Sequence, residues 1–255
     1  MNYDKFYNDN GYVVFKNLIP TSTCDLVRSM MDSWAGPEAP SIMNPDRLEY
    51  LIPQCYSNSG EYLTDNVDEV QRAAETSKIM RELMFDPKMF QKLEKTVNAE
   101  LVALCSHYFF KKPGTIWASQ AWAPHQDNAW TQNKNNSLLI AHIMIDKTRV
   151  DNGCLYLYKG SHKEPLLPIQ ESNSLTAEDA RGRSVAIPEA YKDSRVDCTL
   201  GKGDVIVCHG NTIHGSYPNR SSNPRPTYSI HYIPKGEGFL SGAHARRKAI
   251  RNITT

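Results

Sequence analysis

The chain has 255 residues, of which 29 are Lys or Arg and 28 are Asp or Glu, so its formal net charge is +1. This balance excludes the strong basic excess of a nucleic-acid-binding protein and gives no polybasic argument for a membrane surface. No apolar run approaches the roughly 18 residues of a membrane span, and the N-terminus lacks the apolar core of a secretory signal.

The N-terminal third is predicted to be mainly helical, because apolar residues recur there at helical spacing behind capping residues. The predicted elements are a helix over Tyr3 to Asp9, a strand over Tyr12 to Phe15, a helix from Thr21 to about Trp34, and a helical block from about Val67 to Glu100 that breaks near Asp86-Pro87. Residues 35–65 are rich in Pro, Asn, Ser and Gly. They are predicted to form a long irregular loop, and such loops in compact domains are usually functional or mobile.

After residue 100 the pattern changes to short apolar or alternating runs bounded by Gly, Pro, Asn or Asp, which is typical of strands. The runs are Leu101–Phe110, Ile116–Trp122, Ser137–Ile145, Cys154–Leu157, Asp204–His209 and Tyr228–Ile233. This rhythm predicts a barrel or jelly roll over about residues 101–235, with helical support from about residues 1–100. We expect a single domain over residues 1–255, with residues 164–195 as a long polar insert between strands.

Six cysteines are scattered along the chain without any C-x-x-C pair. In a chain of this length, that pattern indicates reduced and mostly buried thiols. We therefore expect a cytoplasmic protein.

A histidine and a carboxylate lie two residues apart in Pro124-His125-Gln126-Asp127. On an extended strand they point to the same side, so both can reach one metal ion. Two histidines and one carboxylate form a facial triad that leaves coordination positions open, which is diagnostic of non-haem Fe(II) oxygenases. By itself the pair is a weak signal, because many His-Asp pairs are surface residues or structural hydrogen bonds.

Further motifs in a fixed order extend this pair. They are His125/Asp127, Asn152-Gly153-Cys154-Leu155, Gly160-Ser161-His162, Gly203-Asp204, His214/Ser216/Asn219, and Arg225 eleven residues after His214. Together with Gly11-Tyr12-Val13-Val14 they resemble the phytanoyl-CoA dioxygenase family over about residues 5–233. The resemblance implies a mainly β fold with flanking helices, a double-stranded β-helix or distorted jelly roll. It also implies an Fe(II)- and 2-oxoglutarate-dependent dioxygenase that consumes O2 and releases succinate and CO2.

The resemblance implies that iron is held by His125, Asp127 and His214. His209 is the rival to His214, but only His214 has a serine two residues later and an arginine eleven residues later. Relatives that halogenate have Gly or Ala at the position of Asp127. The carboxylate here therefore favours hydroxylation of an unactivated C–H bond, with desaturation or cyclisation as the other outcomes.

The resemblance also implies that Arg225 and Ser216 hold the distal carboxylate of 2-oxoglutarate. A planar guanidinium can grip a carboxylate through two parallel hydrogen bonds, which agrees with that role. His142 is expected beside the oxoacid, and Gln120 within reach of the acid or the substrate.

The substrate pocket has three candidate residues near the metal pair, Trp122, Asn128 and Trp130, for which plain core packing is the alternative. The remaining histidines, including His107 and His231, are assigned to structure or surface. The expected partner is a small-molecule metabolite, with a preference for a polar one from the polar 35–65 loop. Oligomeric state is left open.

Two other classes of protein compete with this interpretation. One is a cupin-type metal enzyme that uses no oxoacid, and Arg225 argues against it because such an enzyme has no use for that residue. The other is a non-catalytic jelly-roll binding protein, which the intact set of two histidines, one aspartate and one arginine disfavours.

Overall fold

A computed structural model describes residues 2–34, 69–71, 77–113, 121–171 and 183–240. Its helices are α1 (Tyr3–Asn10), α2 (Thr21–Trp34), α3 (Lys78–Met84), α4 (Pro87–Val97) and α5 (Asn128–Thr131). Its strands are β1 (Tyr12–Phe15), β2 (Glu69–Gln71), β3 (Leu101–Phe109), β4 (Trp122–His125), β5 (Leu139–Met144), β6 (Leu155–Tyr158), β7 (Ile169–Glu171), β8 (Arg183–Val185), β9 (Arg195–Asp197), β10 (Val205–His209), β11 (His214–Ser216) and β12 (Thr227–Pro234). Two short 3-10 helices span Ser161–Lys163 and Glu189–Ser194. Among these helices none has both the length and the apolar character to cross a bilayer.

The strands form two main sheets in which the described neighbours all pair antiparallel. The larger sheet has the order β1-β10-β5-β12-β3-β2, and the smaller has the order β4-β11-β6-β9. Strands β7 and β8 form a separate hairpin. The predicted jelly roll is confirmed, because sequence neighbours such as β10, β11 and β12 alternate between the two main sheets.

The helices cover one face of the larger sheet and bury the main core. Strand β12 shows how the alternation of side chains divides the two faces. Tyr228, Ile230 and Tyr232 are fully buried in the cluster that includes the helices. The Tyr228 hydroxyl donates to the carbonyl of Met80, and the Tyr232 hydroxyl donates to that of Met84. The intervening residues of β12 face the other way, towards the smaller sheet.

Local chemistry explains the helix boundaries. Helix α1 runs one residue beyond the predicted Asp9, because Gly11 adopts φ +79° and its N–H donates to the carbonyl of Tyr7. Such a left-handed residue ends a helix at little steric cost only when it is glycine. Helix α4 begins after Asp86, whose side chain accepts the N–H of Met89 at 2.9 Å. The predicted break near Asp86-Pro87 is therefore confirmed.

One expectation about the elements was wrong. Within the helical block predicted from Val67, residues Glu69–Gln71 form strand β2 instead, which pairs with β3, and the next described helix is Lys78–Met84. The polar insert predicted over residues 164–195 carries the β7–β8 hairpin and strand β9, although residues 172–182 lie outside the described part. The predicted loop over 35–65 also lies outside the described residues, as does most of the strand predicted over Ile116–Trp122.

Candidate metal centre and its cavity

The two halves of the metal motif meet where β4 and β11 pair. His125 is the last residue of β4, and His214, the first residue of β11, is its partner across the ladder. Asp127 lies in the turn into α5 with helical backbone angles, φ −68° and ψ −25°. The expectation that His125 and Asp127 share one extended strand is therefore wrong, and the turn, rather than strand alternation, brings the carboxylate beside the imidazole.

The side-chain atoms of this group converge. The Nε2 atom of His125 lies 3.4 Å from Oδ1 of Asp127, and the Nε2 atom of His214 lies 3.5 Å from Oδ2. The two imidazole ring centroids are 4.3 Å apart. One potential ligand atom from each of the three residues lies within 4.8 Å of the others. We call this group the triad.

Backbone carbonyls orient both imidazoles of the triad. Nδ1 of His125 lies 2.7 Å from the carbonyl oxygen of Ala123, and Nδ1 of His214 lies 3.0 Å from that of Thr212. A carbonyl can only accept, so each Nδ1 carries a proton, and in a neutral ring the Nε2 atom presents a lone pair towards Asp127. This tautomer with a hydrogen bond behind it is the usual arrangement of metal-binding histidines.

The pKa shifts within the triad favour the binding of a cation. Burial by itself would raise the pKa of Asp127, but His214 and His125 hold it well below its ordinary value. Burial, reinforced by the neighbouring His125, lowers the pKa of His214 to about 4. Near pH 7 the centre therefore offers a carboxylate and a neutral imidazole. This donor set fits a divalent ion that accepts nitrogen and oxygen ligands.

A cavity of about 370 Å³ opens beside the triad, between the two sheets. The predicted pocket residues Trp122 and Trp130 both line it, and so do the predicted oxoacid residues Ser216, Arg225 and His142. The indole of Trp130 stands edge-on to the His125 ring, with centroids 5.4 Å apart. The geometry thus places five of the sequence-predicted residues around one space with the triad.

Arg225 is 4% exposed and is held at the cavity wall by its own hydrogen bonds. Its Nε donates to the carbonyl of Gly153 at 2.9 Å, and its Nη1 donates to Oγ1 of Thr227 at 2.7 Å. Nearby, the ammonium of Lys111 donates to Oγ of Ser216 at 2.8 Å. Sequence reasoning missed Lys111, because nothing in its local pattern separates a buried lysine after β3 from an exposed one.

The route that brings Arg225 to the triad differs from the expected one. The sequence predicts that His214, Ser216 and Arg225 lie on two adjacent strands joined by the turn Asn219–Pro224. Instead β11, which carries His214 and Ser216, belongs to the smaller sheet, and Arg225 precedes β12 of the larger sheet. The segment between them crosses from one sheet to the other. Asn219 braces this crossing by donating to the carbonyls of Lys111 and Asn223.

His142 faces the cavity from the centre of the larger sheet. Its Nδ1 lies 2.7 Å from Oγ of Ser229, and its buried Nε2 has no hydrogen-bond partner among the described residues. Burial, with a contribution from His214, lowers the pKa of His142 well below its ordinary value, so the ring is neutral. A buried polar atom without a partner is rare and asks for an explanation, and a ligand in the cavity would supply one.

Two predicted candidates do not reach the cavity in this structure. The fully buried amide of Asn128 donates to the carbonyl of Asn136 and to Oδ1 of Asn211, and it does not line the cavity. These contacts connect protein segments, so Asn128 has a structural role in the described part of the chain. Gln120 lies outside the described residues. His209, the rival ligand, packs against His162 with the two rings tilted and their centroids 5.5 Å apart, and it takes no part in the triad.

Two histidines assigned to structure or surface line the cavity instead, His107 on β3 and His231 on β12. Strand alternation gives the signal that could have found them. Counting back from His231 in steps of two along β12 gives Ser229 and Thr227, and then Arg225 just before the strand. All four line the cavity.

The fold and the site together define a jelly-roll protein with a two-histidine, one-carboxylate cluster at an internal cavity. Comparison with known proteins agrees with this class. The family described as phytanoyl-CoA dioxygenase (PhyH) matches residues 7–227. The chain belongs to that family, as its motifs indicated.

Individual relatives are more distant. A phytanoyl-CoA dioxygenase of Arabidopsis thaliana is 31% identical over 134 residues, which cover 52% of this chain and 44% of that protein. The peroxisomal phytanoyl-CoA dioxygenase of Homo sapiens is 25% identical over 231 residues, covering 89% of this chain and 66% of that protein. The chain thus spans about half to two thirds of the length of these curated relatives.

Among solved structures, the epimerase SnoN in complex with Fe3+, alpha ketoglutarate and nogalamycin RO superimposes with a TM-score of 0.68. It is 20% identical, and the match covers 94% of this chain and 85% of that one. At this level of identity the similarity supports the fold.

Proposed function

We propose that this protein is an Fe(II)- and 2-oxoglutarate-dependent oxygenase that hydroxylates an unactivated C–H bond of a small molecule. The observation that carries the proposal is the convergence of His125, Asp127 and His214 on one point at the wall of a cavity that also contains Arg225. Membership of the phytanoyl-CoA dioxygenase family supports the same conclusion.

The triad residues would hold the metal through Nε2 of the two histidines and a carboxylate oxygen of Asp127. Three protein ligands of this kind leave positions open for other ligands. When bound, Fe(II) and 2-oxoglutarate supply the activation of O2, with succinate and CO2 as coproducts. The protein fixes the geometry of the metal ligands.

The oxoacid would lie with its distal carboxylate at Arg225 and Ser216. The fixed hydrogen bonds of Arg225 to Gly153 and Thr227 set the orientation of the guanidinium before a ligand arrives. Because Lys111 donates to Ser216, the hydroxyl proton of Ser216 remains available to a carboxylate. Positive charge from Arg225 and Lys111 favours a dianionic ligand at this end of the cavity.

His142 supports a ligand between the metal and Arg225. Its ring centroid lies 6.1 Å from that of His214, and its Nε2 has no hydrogen-bond partner in the described structure. We assign to His142 a hydrogen bond or a ring contact with the bound oxoacid.

The substrate would occupy the part of the cavity walled by Trp122, Trp130 and Phe109. A volume of about 370 Å³ suits a small molecule. Aromatic walls favour a substrate with an apolar portion at the reacting carbon, which modifies the preference for a wholly polar metabolite drawn from the 35–65 loop. Asp127 as the carboxylate ligand favours hydroxylation over halogenation.

Substrate-stimulated succinate formation tests the reaction. The protein is reconstituted with Fe(II) and 2-oxoglutarate without oxygen, O2 is admitted, and succinate is measured against a panel of small metabolites. We expect slow succinate formation without any added metabolite, and faster succinate formation with one class of metabolite. Tight binding of metal with no succinate and no oxoacid affinity would favour the cupin-type alternative instead.

Replacement of Arg225 tests the assigned carboxylate site. Loss of a charge-assisted hydrogen bond costs about 1.5–3 kcal/mol. We therefore expect Arg225→Gln to weaken 2-oxoglutarate binding by about 10- to 150-fold, measured by calorimetry with Mn(II) at the metal site. The matched control is Arg149→Gln, because the exposed Arg149 pairs only with the nearby Asp151 in the described contacts. Equal affinities in the two variants would contradict the assignment.

The cytoplasmic location also stays a proposal. The five cysteines within the described residues are free thiols, and such thiols are typical of reducing compartments. The human relative is named as peroxisomal. Fractionation of the source cells would decide between the two compartments.

A further inference from the structure

A second group of metal-ligand side chains includes two histidines that line the same cavity, His107 and His231. Cys105 and His107 lie two residues apart on β3, and His231 of β12 is the register partner of Cys105. Strand alternation and cross-strand pairing therefore bring all three side chains to one face of the sheet. We call this group the Cys-His-His cluster. Among the described residues, it and the triad are the two groups with metal-ligand geometry.

The distances within the cluster match those expected around an ion. One ligand atom from each of the three residues lies within 4.8 Å of the others. Sγ of Cys105 is 3.7 Å from Nε2 of His107, and the rings of His107 and His231 are 5.3 Å apart between centroids. Sulfur and nitrogen ligands of one tetrahedral ion are separated by similar distances, since Zn–S is about 2.3 Å and Zn–N about 2.0 Å.

One polar atom of the cluster lacks a hydrogen-bond partner in the described part of the chain. Nδ1 of His231 is buried without a hydrogen-bond partner in the described structure. A buried polar atom without a partner is rare and asks for an explanation.

We propose that Cys105, His107 and His231 form a second metal site that takes a borderline-soft divalent ion of the Zn2+ class. Thiolate and imidazole ligands select such ions, whereas the carboxylate-containing triad suits Fe(II). Three protein ligands leave one tetrahedral position open. Because His107 and His231 line the cavity, that open position is reached from the space that the substrate would occupy.

The position of the cluster gives the ion a role towards molecules in the cavity. His231 is close enough to contribute to the electrostatics of Asp127 and His142. An ion at the cluster adds positive charge to the cavity wall, so it would bind a carboxylate, phosphate or thiolate group of a molecule lying there. The proposal stands on the cluster's own geometry and does not depend on the reaction proposed for the triad.

Cobalt spectroscopy distinguishes the two sites. Co(II) replaces Zn2+ and Fe2+ in sites of this kind, and a thiolate ligand gives Co(II) an intense near-ultraviolet charge-transfer band. The triad has no sulfur ligand, so the band reports the Cys-His-His cluster alone. The metal-free full chain is titrated with Co(II) without oxygen, and the band and the bound stoichiometry are followed together.

The expected results differ for each variant. The unmodified chain shows the band and binds two equivalents of Co(II). Asp127→Ala binds one equivalent and keeps the band, and Cys105→Ser binds one equivalent and loses it. Cys24→Ser is the matched control, because it removes a different thiol, which is buried and does not line the cavity. It should keep both equivalents and the band.

A second variant, His231→Gln, keeps the test valid if Cys105→Ser does not fold. His231→Gln keeps the thiol and should weaken Co(II) binding at the cluster by at least about tenfold, since a ligand contributes more than the outer-shell groups whose loss costs 10- to 100-fold. Far-ultraviolet circular dichroism identifies folded variants. Absence of the band in the unmodified chain, or its persistence in folded Cys105→Ser, would overturn the proposal. Failure of the triad to bind metal would leave the band unchanged and would count only against the proposed oxygenase.

Discussion

At the scale of single residues, position in the chain does not separate structural polar groups from those that face a ligand. Asn128 and Asp127 are neighbours in the chain, yet Asp127 belongs to the triad and Asn128 connects two loops through its hydrogen bonds. Both side chains are largely removed from solvent. The difference lies in their partners. The side-chain N–H groups of Asn128 donate to acceptors of the protein itself, whereas the carboxylate oxygens of Asp127 face the Nε2 atoms of two imidazoles.

Replacement of Asn128 therefore tests a structural role. Asn128→Ala removes the donor to the backbone carbonyl of Asn136 and to the side-chain Oδ1 of Asn211. An unsatisfied buried group costs about 1–3 kcal/mol. We expect the free energy of unfolding in urea to fall by about that amount, while metal affinity at the triad is retained. Asn135→Ala is the control, because Asn135 is exposed and its loss should change stability by less than about 0.5 kcal/mol. An unchanged unfolding midpoint in Asn128→Ala would contradict the structural assignment.

At the scale of elements, a few side chains tie separate segments to the sheets that carry the site. Asp204 precedes β10 and is 2% exposed. Its carboxylate accepts the N–H groups of Asn17 and Gly201 and the ammonium of Lys16, each at 2.8 Å. This anchors the segment after β1 to the turn before β10, and β10 in turn pairs with β5, the strand of His142.

The pKa of Asp204 makes this anchor dependent on pH. Burial by itself would raise the pKa, but Lys16 and the two backbone N–H groups lower it below its ordinary value. A carboxyl whose pKa is lowered on folding stabilises the protein above its unfolded pKa of about 3.9, and that stabilisation is lost as the pH falls through the folded value. Acid should therefore weaken the connection between β1 and β10.

Asp204→Asn tests the anchor directly. We expect this variant to lose about 1.5–3 kcal/mol of unfolding free energy at pH 7, because three hydrogen bonds to a charged group are weakened. The difference from the unmodified chain should narrow as the pH falls below about 4. Asp25→Asn is the control, since Asp25 forms an exposed ion pair with Lys202, worth at most about 1 kcal/mol. Equal losses at pH 7 and in acid would argue against the ionised anchor.

At the scale of the whole molecule, a ligand that contacts both the triad and Arg225 would connect the two sheets of the jelly roll. His125 and His214 belong to the smaller sheet, whereas Arg225 and His142 belong to the larger one or its margin. A ligand that touches both sides binds only the folded state. Its binding should therefore stabilise the entire fold rather than one element.

A thermal-shift experiment measures this coupling. At about 100 times the dissociation constant, a ligand adds about 2.7 kcal/mol of stability, and each kcal/mol corresponds to about 2–4 °C for a chain of this size. We expect Mn(II) with 2-oxoglutarate to raise the Tm by about 5–10 °C. The same additions should leave Asp127→Ala within about 1–2 °C, a comparison that reads the ligand-induced shift rather than the variant's own Tm. A shift of similar size in Asp127→Ala would place the binding elsewhere.

Much of the fold could be predicted from the sequence because local patterns report local structure. Alternating runs predicted five strands whose bounds differ from the observed ones by one or two residues, and capping residues predicted α1 and α2. Strands β2 and β9 could not be found in this way. They are short, and what makes them strands is pairing with a neighbour distant in the chain.

The sequence by itself determined the family, the jelly roll, and a set of polar residues at intervals that suit a metal and a carboxylate. Only the tertiary structure decided which of these side chains share a space, since the order of strands in the sheets is not encoded in the spacing of residues. It brought His107 and His231 to the cavity, placed Lys111 in hydrogen-bond contact with Ser216, and turned Asn128 away from the cavity. The physical reason is that a strand's alternation defines two faces, and only its packing partners decide which face encloses the cavity.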